Sequence, residues 1–177
     1  MRAGPQRLTG FPPVYSPDIR VLVLGSMPGR ISLQAGEYYA NPRNLFWLIM
    51  HELFSIDPRL PYLKRLEALT RCGVGLWDVL QQCERAGSLD AAIVPASEVP
   101  NDFAPLLDEC RRLRAFCFNG RKAAQAFRRH VLPSLPAAVR ARVELVVLPS
   151  TSPANAGQSF AEKLKRWRAV AQLARAP

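Results

Sequence analysis

The sequence predicts an α/β fold in which a parallel sheet carries helices on both faces. Three observations predict it. Short apolar runs at residues 19–24, 113–118 and 143–148 each end in turn-forming residues. A stretch of helical periodicity follows each run. No internal repeat or low-complexity tract breaks the alternation, and strands alternating with helices imply right-handed crossovers and a parallel sheet.

Residues 1–17 are rich in Pro and Gly, and residues 1–18 are read as an N-terminal arm, draped or loose. Residues 19–177 are read as one domain, a length that buries a sizeable core. The first strand, 19–24, is apolar with β-branched members and stops at Gly25. Asn41-Pro42 then opens a helix, with Asn as the N-cap and Pro at the first helical position. Phe46, Ile49, Met50 and Leu53 give that helix its core face. Another helix covers about residues 61–71. Residues 73–105 are ambiguous: 74–80 read as a short strand or a turn of helix, and Asn101-Asp102 as a helix start. The strand at 113–118 ends at Asn119-Gly120, and the following helix places Ala124, Phe127 and Val131 on one face. The strand at 143–148 ends at PSTSP. Ser159-Phe160-Ala161-Glu162 reads as a capping box. In the helix it opens, Phe160, Leu164, Trp167 and Ala171 form the buried face, and Lys163, Lys165, Arg166 and Arg168 the wet one.

Lys and Arg number 24 against 14 Asp and Glu, a formal charge of +10. Such a surface concentrates polyanions without saying which, and an arginine-rich composition also follows from a GC-rich genome. No apolar run approaches a membrane span, and the N-terminus lacks a signal-peptide core. The expected location is cytoplasmic, of bacterial type and used at the nucleoid, with no membrane partner. The four cysteines form no C-x-x-C pair, so reduced thiols are expected and neither metal nor cofactor is.

Three loops, GSMPG, NG and PSTSPAN, follow strands and share one sheet edge, where open α/β sheets bind ligands. They lack a G-x-S-x-G elbow, H-E-x-x-H, a Walker lysine and G-x-G-x-x-G. Ser26 has no evident His partner. What remains is Tyr38, Tyr39, Asn41, Asn44, Asn119, Ser150, Ser152 and Asn155. Amides read heterocycle edges and tyrosine rings stack on their faces, which suits an extruded nucleobase. Structural readings stand beside this one. Asn41 fits an N-cap. Asn44 points into the pocket or satisfies the loop backbone. Asn119-Gly120 is a common turn, Tyr38 or Tyr39 is core, and Glu37 reads as a solvated loop carboxylate sooner than a general base. The serines and Asn155 cap the last helix or bind phosphate at its N-terminus.

GSMPG, YYANPRNLFW, LWDVL, PNDF, FNGRKA and LPSTSPANA, in this order over most of residues 20–170, resemble the uracil-DNA glycosylase superfamily, and within it the DNA-deoxyinosine (hypoxanthine-DNA) glycosylases. The resemblance implies a three-layer α/β/α sandwich around a four-stranded parallel sheet. It implies a monomeric, monofunctional DNA repair enzyme. Such an enzyme flips a deaminated base, hypoxanthine first, out of double- or single-stranded DNA and hydrolyses its N-glycosidic bond to leave an abasic site. Carried over by position, Asn44 and Asn119 are the catalytic residues, Asn44 orienting water or holding the leaving base. Gly25, Ser26, Met27, Tyr39 and Phe46 bind the base, with Tyr39 stacking on it. Ser150, Ser152, Pro153, Ala154 and Asn155 form a small DNA-intercalation loop. Met27 stands where related mismatch-specific uracil and thymine glycosylases carry asparagine. Two alternatives remain open: a uracil, xanthine or mismatch-pyrimidine glycosylase, and a catalytically silent nucleic-acid-binding domain. A nucleotide-binding enzyme unrelated to DNA is a more distant third.

Overall fold

In chain order the elements are β1 (Gln6–Thr9), β2 (Val21–Gly25), α1 (Arg30–Ala35), α2 (Phe46–Phe54), α3 (Tyr62–Arg71), β3 (Val74–Asp78), β4 (Leu80–Arg85), β5 (Val99–Pro100), α4 (Ala104–Glu109), β6 (Ala115–Asn119), α5 (Arg121–His130), α6 (Ala137–Arg142), β7 (Glu144–Leu148) and α7 (Phe160–Arg175). The computed structural model describes residues 4–175; residues 1–3 of the expected arm and 176–177 of the expected domain lie outside it.

The central sheet has the order β3-β2-β6-β7, and every pairing is parallel. The inner strands are apolar without interruption because both of their faces are covered. Alternation then divides the core in two. Leu22, Leu24, Phe116 and Phe118 pack toward α4, α5 and α6. Val21, Val23, Ala115 and Cys117 pack toward α2, α3 and α7. This is the expected three-layer sandwich with four parallel strands.

A second sheet, β1-β4-β5, is antiparallel and small. It was not anticipated, and it resolves the ambiguous middle segment: residues 74–78 are a strand, and after Val79 the chain leaves the main sheet. Residues 6–9, within the segment expected as an arm, pair with β4. Val14 exchanges two 2.8 Å backbone hydrogen bonds with Leu76, covering an otherwise open sheet edge. The indole N–H of Trp77 donates to the Phe11 carbonyl, and the Tyr38 hydroxyl donates to that of Pro12.

Two local expectations are corrected. Asn41-Pro42 does not open α2. Asn41 instead builds a turn, its side-chain oxygen accepting the Arg43 N–H and its carbonyl the Asn44 N–H. The helix begins at Phe46, whose N–H donates to Asn44 Oδ1 at 3.0 Å. Lys163 is not on the wet face of α7. It is 2% exposed, and its ammonium donates to the Asn155 carbonyl at 2.6 Å. The capping box forms as expected, the Ser159 N–H meeting Glu162 Oε2 at 2.7 Å and the Glu162 N–H meeting Ser159 Oγ at 3.3 Å. Among the described residues no helix is long and apolar enough to cross a membrane.

The segment before β5 is pinned to α5 by charge. The Glu98 carboxylate is buried and accepts from the Lys122 ammonium and, at 2.7 Å, from His130 Nε2. Burial alone would raise the Glu98 pKa; the hydrogen bonds from Lys122 and His130 outweigh it and hold the group below its ordinary value. A depressed carboxylate stabilises the fold fully above its unfolded pKa, and that contribution is lost as pH falls through the folded value. Glu98→Gln is expected to cost about 1–3 kcal/mol near neutral pH. In urea denaturation the wild-type and variant stabilities should converge as the pH falls below the glutamate range.

Candidate active site

The carboxyl ends of β2, β3 and β6 and the loop after β7 open on a cleft of about 410 Å³. Gly25, Ser26, Met27, Tyr39, Asn44, Asn119, Ser150, Ser152, Pro153, Ala154 and Asn155 all line it. Phe46 does not. It is fully buried, and its ring stacks beneath Tyr39 at 4.1 Å between centroids with 21° between planes. Trp167 meets Phe46 edge-on at 5.9 Å, so the aromatic that lines the cleft rests on a column reaching into the core. Tyr39 sits at φ 57°, a left-handed conformation costly for a bulky side chain. Tyr38 beside it is 3% exposed, and its main chain is held by the Tyr62 hydroxyl and the Trp47 indole.

The two asparagines belong to one hydrogen-bonded frame centred on Thr151, which is fully buried. Asn119 Oδ1 accepts the Thr151 N–H and Asn119 Nδ2 donates to Thr151 Oγ1, both at 2.9 Å. The Thr151 carbonyl accepts the Leu45 N–H at 3.0 Å, one residue from Asn44. Each amide therefore spends part of its capacity on the backbone and keeps the rest. Asn44 Oδ1 is held by the Phe46 N–H, and one Nδ2 hydrogen of Asn119 is held by Thr151 Oγ1.

The other loops are tied from behind. Arg85 is 2% exposed. Its guanidinium donates to the carbonyls of Pro28 (2.6 Å), Gly87 (3.1 Å) and Met27 (3.4 Å). Ser26 Oγ donates to Asp90 Oδ1 at 2.5 Å. The Met27 side chain is buried with the core. The expected intercalation loop bonds to itself, Asn155 Nδ2 to the Ser150 carbonyl at 3.2 Å and the Ser152 N–H to Ser150 Oγ at 3.2 Å. Its serines and Asn155 thus brace the loop and do not cap α7.

Sequence reasoning missed Asp78, Asp90, Arg85 and Thr151. Asp78 lies in the quoted LWDVL segment, inside the stretch 74–80 that reads as a short strand or a turn of helix; in the structure it ends β3. It is 4% exposed, lines the cleft and stands in register with Gly25. A Cβ on Gly25 would collide with its carboxylate, so glycine is required there by close approach. Burial, and then the charge of Asp90, raises the Asp78 pKa to about 8 against the opposing pull of Arg85.

A parallel α/β/α sandwich with an amide- and aromatic-lined cleft at its carboxyl edge describes a base-excising architecture, and comparison with known proteins agrees. The family model described as the uracil DNA glycosylase superfamily matches residues 12–173, and the chain belongs to that superfamily. It is 37% identical over 163 residues to a hypoxanthine DNA glycosylase of Methanosarcina acetivorans, covering 91% of this chain and 96% of that one. It is 38% identical over 117 residues to the protein of the same name from Methanosarcina barkeri, covering 66% of this chain and 73% of that one. The solution NMR structure of a Methanosarcina acetivorans chain assigned as a candidate uracil DNA glycosylase superposes with a TM-score of 0.78 at 33% identity, over 97% of this chain and all of that one. Both relatives are archaeal and lend no support to the bacterial-type detail of the expected localisation.

Thr151→Val keeps the side-chain shape, removes Oγ1 and strands the buried Asn119 Nδ2. It is expected to cost about 1–3 kcal/mol in chemical denaturation.

Proposed function

We propose that this protein is a monofunctional DNA glycosylase. It takes a deaminated base out of the helix, hypoxanthine from deoxyinosine first, and hydrolyses the N-glycosidic bond to leave an abasic site. The observation that carries the reading is the convergence of Tyr39, Asn44 and Asn119 on one cleft at the carboxyl edge of the sheet. The name of the two Methanosarcina relatives supports hypoxanthine as the base. The excess of basic residues supports a polyanionic substrate, and the proposal places the action on chromosomal DNA in the cytoplasm.

Basic side chains hold the phosphates while the lesion nucleotide rotates out, at a cost of a few kcal/mol of unstacking. Tyr39 stacks on the base with its other face braced by Phe46. Asn119 offers its remaining amide hydrogen to the base edge. The Asn44 amide cannot swivel freely, because the Phe46 N–H demands its oxygen. Its NH₂ is then the half left for the cleft, which favours donation to the departing base over acceptance from water. The sugar acquires oxocarbenium character, and water adds at C1′. Among the described residues no lysine lines the cleft. Lys122 is engaged by Glu98 and Lys163 by Asn155, so an amine nucleophile has no place in the reaction.

The direct test incubates the purified protein, with chelator, with duplexes carrying a single deoxyinosine, deoxyuridine, deoxyxanthosine or mismatched thymidine, and scores abasic sites by alkaline cleavage. Excision fastest from deoxyinosine is expected, and no excision from any duplex would refute the proposal. In single-turnover assays Asn44→Ala is expected to lower the rate by about 10²-fold or more, with lesion-duplex binding kept within a few-fold. A wild-type rate in that variant would remove Asn44 from the chemistry.

A further inference from the structure

Two carboxylates line the cleft, and they are in different states. Asp90 is engaged by Ser26 Oγ at 2.5 Å. Asp78 Oδ2 is buried with no hydrogen-bond partner, and so is the Tyr39 hydroxyl. The two groups flank one glycine. A Cβ built on Gly25 would collide with the Asp78 carboxylate and lie 3.7 Å from the Tyr39 hydroxyl. Buried polar atoms in folded proteins are almost always paired, and leaving one unpaired costs about 1–3 kcal/mol. Two such atoms on residues that line one cleft, with Asp78 turning its other carboxylate oxygen to Gly25, point to a ligand that completes them.

We propose that Asp78 is the general acid of base excision, its carboxyl group giving a proton to the departing purine beside the Tyr39 hydroxyl. The inference rests on the glycosylase reading above. As the C1′–N9 bond breaks, its electron pair passes into the purine ring. The Asp78 proton goes to a ring nitrogen, N3 or N7, so that the base leaves as a neutral tautomer. Water forms the new bond to C1′, and the proton it loses restores the Asp78 carboxyl group. The products are free hypoxanthine, the abasic sugar and the acid form of the enzyme. Proton delivery of this kind accelerates bond cleavage by about 10²–10⁴-fold.

The surroundings hold the proton on Asp78. Asp90 faces it from the turn after β4, and Arg85 faces it from β4 itself. Tyr38 and Tyr39 before α2, and Tyr62 on α3, complete the titratable groups around it. Burial and Asp90 favour the neutral acid, and only Arg85 opposes them. Arg85 is already committed to three backbone carbonyls. Burial raises the Asp90 pKa as well, but the Ser26 hydroxyl, Arg85 and Lys122 all pull it back, whereas only Arg85 opposes burial at Asp78, so Asp78 is the carboxyl that keeps its proton more readily.

The test is the single-turnover rate of deoxyinosine excision against pH, from about pH 6 to pH 9.5, for wild type, Asp78→Asn and Asp90→Asn. The wild-type rate is expected to fall tenfold per pH unit above about pH 8. Asp78→Asn, similar in shape but without a transferable proton, is expected to be slower by about 10²–10⁴-fold and flat over the same range, with melting temperature and duplex binding unchanged. Asp90→Asn removes the neighbouring negative charge and should move the basic limb to lower pH, a readout that does not depend on Asp78→Asn folding. An Asp78→Asn rate within threefold of wild type, a wild-type basic limb surviving in that variant, or an unmoved limb in Asp90→Asn would each overturn the role of Asp78. Any of these would leave the glycosylase reading intact, whereas a wild-type protein that excised no base would overturn both.

Discussion

The cleft depends on one buried knot, the three hydrogen bonds by which Thr151 joins β6, the loop after β7 and the entrance to α2. A parallel sheet delivers its strand ends to one edge but leaves the connecting loops with polar backbone to satisfy away from any ladder. Asn119 meets the Thr151 N–H and hydroxyl, and the Thr151 carbonyl meets the Leu45 N–H. Asn44 and Asn119, 75 positions apart in sequence, are thereby referenced to the same residue. The first loop is held by the same principle with different chemistry, the Arg85 guanidinium gathering its carbonyls. The far side of the last loop is held by the buried ammonium of Lys163. Fixed dipoles stabilise developing charge only if nothing has to reorganise when the charge appears, and these side chains supply that rigidity from outside the reacting zone.

How much of this was legible in the sequence follows from which signals are local. Three of the four strands of the main sheet, the helix after Asn119 and the Ser159 capping box announce themselves within a few residues, through apolar runs, turn punctuation and a reciprocal bond between near neighbours. The loops of the cleft were legible for the same reason. The antiparallel sheet was not, because its strands are short, mix polar with apolar residues and find their partners far away in the chain, Gln6 opposite Arg85 for example. Lys163 and Arg85 were misjudged or missed because a cation in an amphipathic pattern reads as solvent-facing. Only the tertiary fold reveals carbonyls positioned to receive it. Asp78 escaped notice because the stretch around it reads equally as strand or turn of helix, and nothing local says that Gly25 has made room for its carboxylate.

The helix start illustrates a subtler ambiguity. Asn41 and Asn44 both stand ahead of an apolar helical stretch, and either has the chemistry of a cap. Asn41-Pro42 carries the stronger local signal, yet it forms the preceding turn and hands the helix end to Asn44. The turn lets Tyr39, at its unfavourable φ, lie flat on Phe46 while Asn44 reaches the same cleft.

The structural and catalytic readings of an asparagine are therefore not competitors. A primary amide has four hydrogen-bonding positions, and a cap or a loop brace consumes one or two of them. An amide with none committed rotates, presenting oxygen or nitrogen to a ligand with similar ease. One with its oxygen committed to a backbone N–H presents a known face. In the proposed reaction Asn44 serves a departing base because the start of α2 has already decided which way it points. The same reasoning fits Met27 into the proposed reaction: a first loop without a side-chain amide would contribute through its backbone, and the buried Arg85 holds that backbone.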